Sequence, residues 1–207
     1  MRSAPALYLV TDRAACDRPL PEVLAAALSQ VDPSRVAVQL REKDLSAREL
    51  FGLGRAVLDV CRARNVRLLV NDRLDVALAL GADGVHLGGG SLSAAVVRRV
   101  WPGALLGISS HTPEELASRA NGADFAAWGP VFATPSKARY GAPVGTARLA
   151  EARKVGLPLV ALGGVDHTNA AGLRAAGFGA IACIRAVFSA QDPAAAAANL
   201  LRAFDAA

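Results

Sequence analysis

The apolar residues of this chain fall in short unbroken blocks rather than in alternation with polar ones. Eight blocks are predicted strands: "ALYLV" (6–10), "RVAVQL" (35–40), "RLLV" (67–70), "GVHL" (84–87), "LLGIS" (105–109), "DFAAWG" (124–129), "LPLVAL" (157–162) and "AIACI" (180–184). A strand with no polar face is covered by protein on both sides. Between the blocks run amphipathic Ala/Leu/Arg stretches such as "SARELFGLGRAVLDVCRARN" (46–65) and "SLSAAVVRRV" (91–100), with helical periodicity. Strand and helix alternating in this way imply parallel strands joined by right-handed crossovers. Eight such units in 207 residues predict a single (β/α)8 TIM barrel spanning 1–207, with an open doubly wound sheet as the rival arrangement. A faint internal echo, "GADGVHLG", "GADFAAWG" and "GFGAIACI", sets a helix-ending glycine just before a strand three times.

Composition narrows the function classes. With 53% hydrophobic residues there is material for a large core. The net charge of +5 comes from dispersed Lys and Arg without interleaved aromatics, which argues against nucleic acid and for an anionic small substrate. Cys16, Cys61 and Cys183 are odd in number and lack a C-x-x-C, so neither a disulfide framework nor structural zinc is expected, and the compartment is read as a reducing cytoplasm. The apolar start is too short for a signal peptide, and no run approaches the ~18 apolar residues of a membrane span. Self-association into a homo-oligomer is left open.

In such barrels the site lies at the C-terminal ends of the strands. The second strand ends in Gln39, Arg41, Glu42 and Lys43, the third in Asn71, Asp72 and Arg73, and the fifth in Ser109, Ser110 and His111. The sixth leads into a long loop, 131–146, with Thr134, Ser136, Lys137 and two hinge-capable glycines, Gly141 and Gly145. Alternation along the second strand would turn Gln39, Arg41 and Lys43 to the pocket together, suiting a diphosphate on a polar heterocycle. A plain solvated charge cluster is the alternative. The seventh unit, "LGGVDHTN", sets Gly163 and Gly164 before a helix that Asp166 or Thr168 would cap, as in a phosphate site, and the eighth strand ends at Ile184 and Arg185. His86 falls inside a buried strand and reads as structural. The stretch "VHLGGGSL" (85–92) reads three ways: a phosphate cradle, a plain turn, or a place where a more useful side chain is missing.

The ordered set "VQLREK", "VNDRLDVAL", "DGVHLG", "GISSHT", "GPVFATPSK" and "VALGGVDHTN" resembles the thiamine-phosphate synthase and TenI superfamily over residues 36–185. Synthases of that superfamily join hydroxymethylpyrimidine diphosphate to thiazole phosphate and release diphosphate, and the TenI branch includes thiazole tautomerases. The resemblance implies that Gln39 and Ser109 contact the pyrimidine. Arg41, Asn71 and Lys137 would hold the diphosphate, and Asp72 would ligate Mg²⁺. Thr134 and Ser136 would border the thiazole, with Gly164 and the backbone at Ile184 and Arg185 on its phosphate.

Three positions depart from the pattern. Ser91 stands where synthases carry a second Mg²⁺-binding aspartate, so the glycines before it resemble a site that has lost a carboxylate. Pro130 stands where the tautomerase carries its histidine, leaving His111 as the alternative proton-transfer residue. Arg185 replaces a small polar residue. With the diphosphate set intact, the reading is a synthase-type transferase holding Mg²⁺ weakly. A TenI-type tautomerase and a non-catalytic regulatory barrel binding a thiamine precursor are its alternatives.

Overall fold

The computed structural model describes residues 5–134 and 143–206. The eight apolar blocks are eight parallel strands: β1 Leu7–Val10, β2 Val36–Leu40, β3 Arg67–Asn71, β4 Gly84–Leu87, β5 Leu105–Ser110, β6 Phe125–Trp128, β7 Leu159–Leu162 and β8 Ala180–Cys183. Each pairs with its neighbour in chain order, and β8 pairs back to β1 with Ile181 opposite Leu7, so the sheet closes. This is the (β/α)8 barrel that the pattern predicts. Its helices are α1 Leu20–Ala27, α2 Ala47–Ala63, α3 Leu74–Leu80, α4 Ala94–Val100, α5 Pro113–Arg119, α6 Leu149–Arg153, α7 Ala170–Ala176, α8 Arg185–Phe188 and α9 Pro193–Asp205. Among the described residues no helix is long and apolar enough to cross a membrane.

Local chemistry sets the element ends. Ser46 and Glu49 form a reciprocal capping box at the start of α2, satisfying amides that the first turn leaves over. Thr112 and Asp192 accept from the third residue of α5 and α9 in the same way. Gly81 ends α3 at φ +66° and Gly177 ends α7 at φ +102°, a left-handed region that other residues avoid. The internal echo has a further meaning. Asp83, just before β4, accepts from Leu68 N of β3 at 2.8 Å, and Asp124, just before β6, accepts from Leu106 N of β5 at 2.8 Å. Each "GAD" therefore ties the bottom of one strand to its predecessor.

Closure splits the core in two. Outward side chains such as Leu9, Val38, Leu68 and Ile108 pack under the helices against Leu24, Val57 and Leu116. Inward ones, Tyr8, Ala37, Leu69, Leu105, Phe125, Val160 and Ala182 among them, fill the barrel itself. At its centre the Tyr8 ring meets Phe125 edge-on, 5.4 Å between centroids, and His86 lies 5.7 Å from Tyr8. These rings fit because β5 carries no side chain where they meet. A Cβ on Gly107 would stand 2.5 Å from Phe125 and 2.6 Å from His86 Nδ1. Gly107→Ala is therefore expected to cost about 1–3 kcal/mol through overpacking, read as a lowered denaturation midpoint.

Burial, helped by the nearby Arg119 and Arg41 charges, pushes the His86 imidazole down from 6.5 to about 3. Across that interval the unfolded chain binds a proton that the folded one refuses. Stability is then unaffected above pH 6.5 and falls as pH drops towards 3, by up to about 1.4 kcal/mol per pH unit. Denaturation curves across this window should show His86→Gln losing less stability with falling pH than the wild-type protein. Parallel curves would refute it.

Candidate active site

The C-terminal ends of β2, β3 and β4 frame an open cleft of about 380 Å³, a volume suited to a small ligand. Six of the residues singled out from sequence line it together: Glu42, Lys43, Asn71, Asp72, Arg73 and Ser91. Asp72 is exposed and takes a left-handed conformation, φ +63°, with its amide bonded to His86 O at 2.9 Å. That conformation costs a non-glycine residue about 1–3 kcal/mol, and such outliers concentrate at functional sites. Its neighbour Arg73 also lines the cleft, but its guanidinium is paired with Asp75 at 2.5 and 2.9 Å.

The Gly88–Ser91 stretch is a plain turn. Ser91 N bonds Gly88 O at 3.1 Å, and Ser91 Oγ accepts from Gly88 N at 2.8 Å. Gly89 and Gly90 have no positive φ, and a Cβ on either would meet nothing within 4 Å. Neither strain nor close packing calls for glycine here. What their small size does is leave the cleft open.

On the β2 side the expected trio divides between the cleft and the barrel interior. Lys43 lines the cleft, whereas Gln39 is buried beneath the mouth, donating to Tyr8 Oη at 3.1 Å. The alternation that would align them stops where β2 ends at Leu40. Arg41 N bonds Thr11 Oγ1 at 2.9 Å, and the Arg41 charge is felt at His86, inside the barrel. Glu42 is a brace. It accepts from Thr11 Oγ1 at 2.7 Å and from Arg13, whose guanidinium also clamps Asp44 and holds that carboxyl down at about 2.

At β5 the Ser109 hydroxyl lies 2.9 Å from His86 Nε2. Arg119, reaching over from α5, donates to Ser109 O at 2.6 Å and to Leu87 O and Gly88 O, so one guanidinium ties the mouth ends of β4 and β5. His111 is exposed, and its Nδ1 donates to the Gly129 carbonyl beside Pro130.

Gly163 and Gly164 at the end of β7 do require glycine, with φ +101° and +68° and Cβ positions 2.6 Å from Pro130 and 2.7 Å from Phe132. The expected helix cap is corrected. Asp166 closes its own turn by accepting from Thr168 N and Oγ1, and α7 begins only after Asn169, with no side-chain cap. Instead, the short α8 opens at Arg185 directly after Ile184, so both lie on its first turn at the same end of the barrel. Arg185 is exposed and has no carboxylate partner among the described residues. Thr134 is half-buried at the edge of the described chain, and Ser136, Lys137 and Gly141 lie outside the described residues.

Sequence reasoning did not single out Tyr8, Thr11 or Arg119. Tyr8 is the ring with a polar atom among otherwise aliphatic inward positions of β1, a signal that alternation alone could have raised.

Comparison with known proteins sets this geometry in a lineage. The thiamine monophosphate synthase family matches residues 7–187. A thiamine-phosphate synthase of Roseiflexus castenholzii is 45% identical over 194 residues, covering 92% of this chain and 84% of that protein. A putative thiamine-phosphate synthase of Geobacter sulfurreducens is 46% identical over 199 residues, covering 94% and 92%. The solved thiamine phosphate pyrophosphorylase of Pyrococcus furiosus superposes with a TM-score of 0.82 at 32% identity, covering 96% of this chain and 95% of that one. The chain belongs to the thiamine monophosphate synthase family.

Proposed function

We propose that this protein is a thiamine-phosphate synthase, joining hydroxymethylpyrimidine diphosphate to thiazole phosphate with release of diphosphate. The bond from the pyrimidine methylene to diphosphate oxygen breaks with its electrons leaving on diphosphate. The thiazole nitrogen lone pair then forms the new C–N bond. Such a reaction needs charge stabilisation for the leaving group more than it needs a base. The observation that carries the reading is the meeting of Lys43, Asn71, the left-handed Asp72 and Ser91 in one open cleft at the barrel mouth.

In this reading Lys43 and Asn71, with Arg41 and Lys137, take the diphosphate, and Ser109 and Gln39 face the pyrimidine. Thr134 and Ser136 border the thiazole. Gly163, Gly164 and the first turn of α8 at Ile184 and Arg185 receive the thiazole phosphate, since helix-start amides lack partners within their own helix. Among the described residues no three His, Cys, Asp or Glu side chains gather as a metal cage. Mg²⁺ needs none, for it binds through one or two carboxylates together with substrate phosphates and water. Exposed Asp72, with the Ser91 hydroxyl on the same cleft, fits a cation shared with diphosphate. When bound, the ion would neutralise charge growing on the leaving group.

Incubated with both precursors and Mg²⁺, the protein is expected to form thiamine phosphate and diphosphate, and absence of product at saturation would end this reading. Asp72→Asn keeps a residue that tolerates the left-handed backbone. It should fold normally and lose about 100-fold in kcat/KM, as when one electrostatic group is removed. Ser91→Asp should lower the Mg²⁺ concentration for half-maximal rate several-fold, and no change would argue against metal in this cleft. Thiazole tautomerisation is a second reading favoured by one observation, the imidazole of His111 held beside Pro130. His111→Asn should leave synthase turnover within about threefold, whereas loss of a metal-independent isomerisation would select the tautomerase.

A further inference from the structure

The barrel interior contains a chain of hydrogen bonds. Gln39 Nε2 lies 3.1 Å from Tyr8 Oη, Tyr8 Oη 3.4 Å from His86 Nδ1, and His86 Nε2 2.9 Å from Ser109 Oγ. Gln39, Tyr8 and His86 are buried, and Ser109 is half-buried at the mouth end of β5.

Each link dictates the next. Gln39 gives a proton to Tyr8 Oη, so the tyrosine proton must find another acceptor, and His86 Nδ1 is the one in reach. The neutral imidazole then carries its single proton on Nε2 and donates it to Ser109 Oγ. Ser109 is left to offer its own proton away from His86. With Nε2 of Gln39 engaged by Tyr8, it is the amide carbonyl that is turned away. The opposite arrangement reverses every link together: Ser109 donates to Nε2, Nδ1 donates to Tyr8, and Tyr8 donates to the Gln39 carbonyl. The serine would then accept, and the Gln39 amino group would be turned away. Mixed states leave a buried proton or lone pair without a partner, at about 1–3 kcal/mol.

We propose that Tyr8 and His86 are positioning residues that make Gln39 and Ser109 a single coupled reader, set for a heterocycle with a bare ring nitrogen and an exocyclic amine. The ring nitrogen takes the Ser109 proton, and the amine donates to the Gln39 carbonyl. An aminopyrimidine offers both groups. Its oxo counterpart, with a proton on the ring and a carbonyl outside it, offers the reverse. The proposal rests on the synthase reading for placing Gln39 and Ser109 against one ligand, and it adds that two residues beneath them set the selectivity.

Tyr8→Phe removes the hydroxyl and keeps the ring that packs on Phe125. The wild-type protein is expected to prefer hydroxymethylpyrimidine diphosphate over its oxo analogue by at least about 100-fold in kcat/KM, as a site built from hydrogen bonds does. In Tyr8→Phe that preference should fall at least about tenfold, with KM for thiazole phosphate unchanged. A loss shared equally by the two pyrimidines, or an unchanged preference, would overturn the proposal. Nitrogen chemical shifts of the ligand-free wild-type protein give a measurement independent of any variant's folding. His86 should carry its proton on Nε2, and a proton on Nδ1 would refute it. Calorimetric affinities for the two pyrimidine diphosphates give the same ratio without turnover. Selective binding without product would remove the synthase reading and leave this one standing.

Discussion

A barrel interior closed to water forces every polar atom inside it to find a protein partner, and here that demand runs from the centre to the mouth. Tyr8 and His86 are packed with Phe125 where a chain of aliphatic side chains would serve the core equally well. An unpartnered hydroxyl or ring nitrogen there would cost about 1–3 kcal/mol. Gln39 and Ser109 meet that need, so the core anchors both of them. The bare Gly107 makes room for the arrangement from below, and Arg119 holds the backbone of Ser109 from the side. Core packing and site geometry are thus one set of contacts.

Around that centre the mouth is built by bracing rather than by loop length. Thr11 bonds the Arg41 amide and the Glu42 carboxylate at once, fastening the end of β2 to the end of β1. Glu42 in turn is occupied by Arg13, which leaves Asp72 as the exposed acid of the cleft. The left-handed backbone of Asp72 is tied to β4 through His86 O. A strained residue persists only where its surroundings over-determine it, and that tie together with the bonds at Arg73 and Leu74 does so. The two glycine stretches behave differently. Gly163 and Gly164 have positive φ and leave no room for a Cβ, whereas Gly89 and Gly90 have neither constraint.

The barrel was legible because strands buried on both faces leave an unmistakable record, unbroken apolar runs at regular spacing. Its site was legible to the extent that position along the barrel decides function: Lys43, Asn71 and Asp72, chosen as strand-end polar residues, share one cleft with Ser91, which the family resemblance singled out. Period-two alternation holds at Gln39, which turns into the barrel, but it cannot be carried to Lys43, because the strand ends at Leu40. The cap expected at Asp166 failed for a related reason. A turn-forming aspartate satisfies its own loop before it can serve a helix three residues later. The tie that Arg119 makes across the mouth could not be read from sequence: its i,i+4 pair with Glu115 marks only a helix surface, and the bonds that join β4 to β5 go to backbone carbonyls, which carry no residue-type signature.

Tyr8 shows where sequence reasoning meets its limit in this fold. By composition it is one aromatic residue in an apolar strand, and a phenylalanine there would preserve pattern, volume and ring stacking. Its consequence appears only when the closed sheet brings β1, β2, β4 and β5 around one axis, so that a hydroxyl from the first strand bridges an amide and an imidazole from two others. The bridge carries direction as well as contact, because a neutral imidazole has one proton to place and each neighbour must adapt to it. Shape complementarity alone would accept an aminopyrimidine and its oxo counterpart almost equally, as the two differ by little more than the placing of protons. Discriminating between them requires donors and acceptors that do not reorient one at a time, and a buried chain of bonds lets Gln39 and Ser109 change only together.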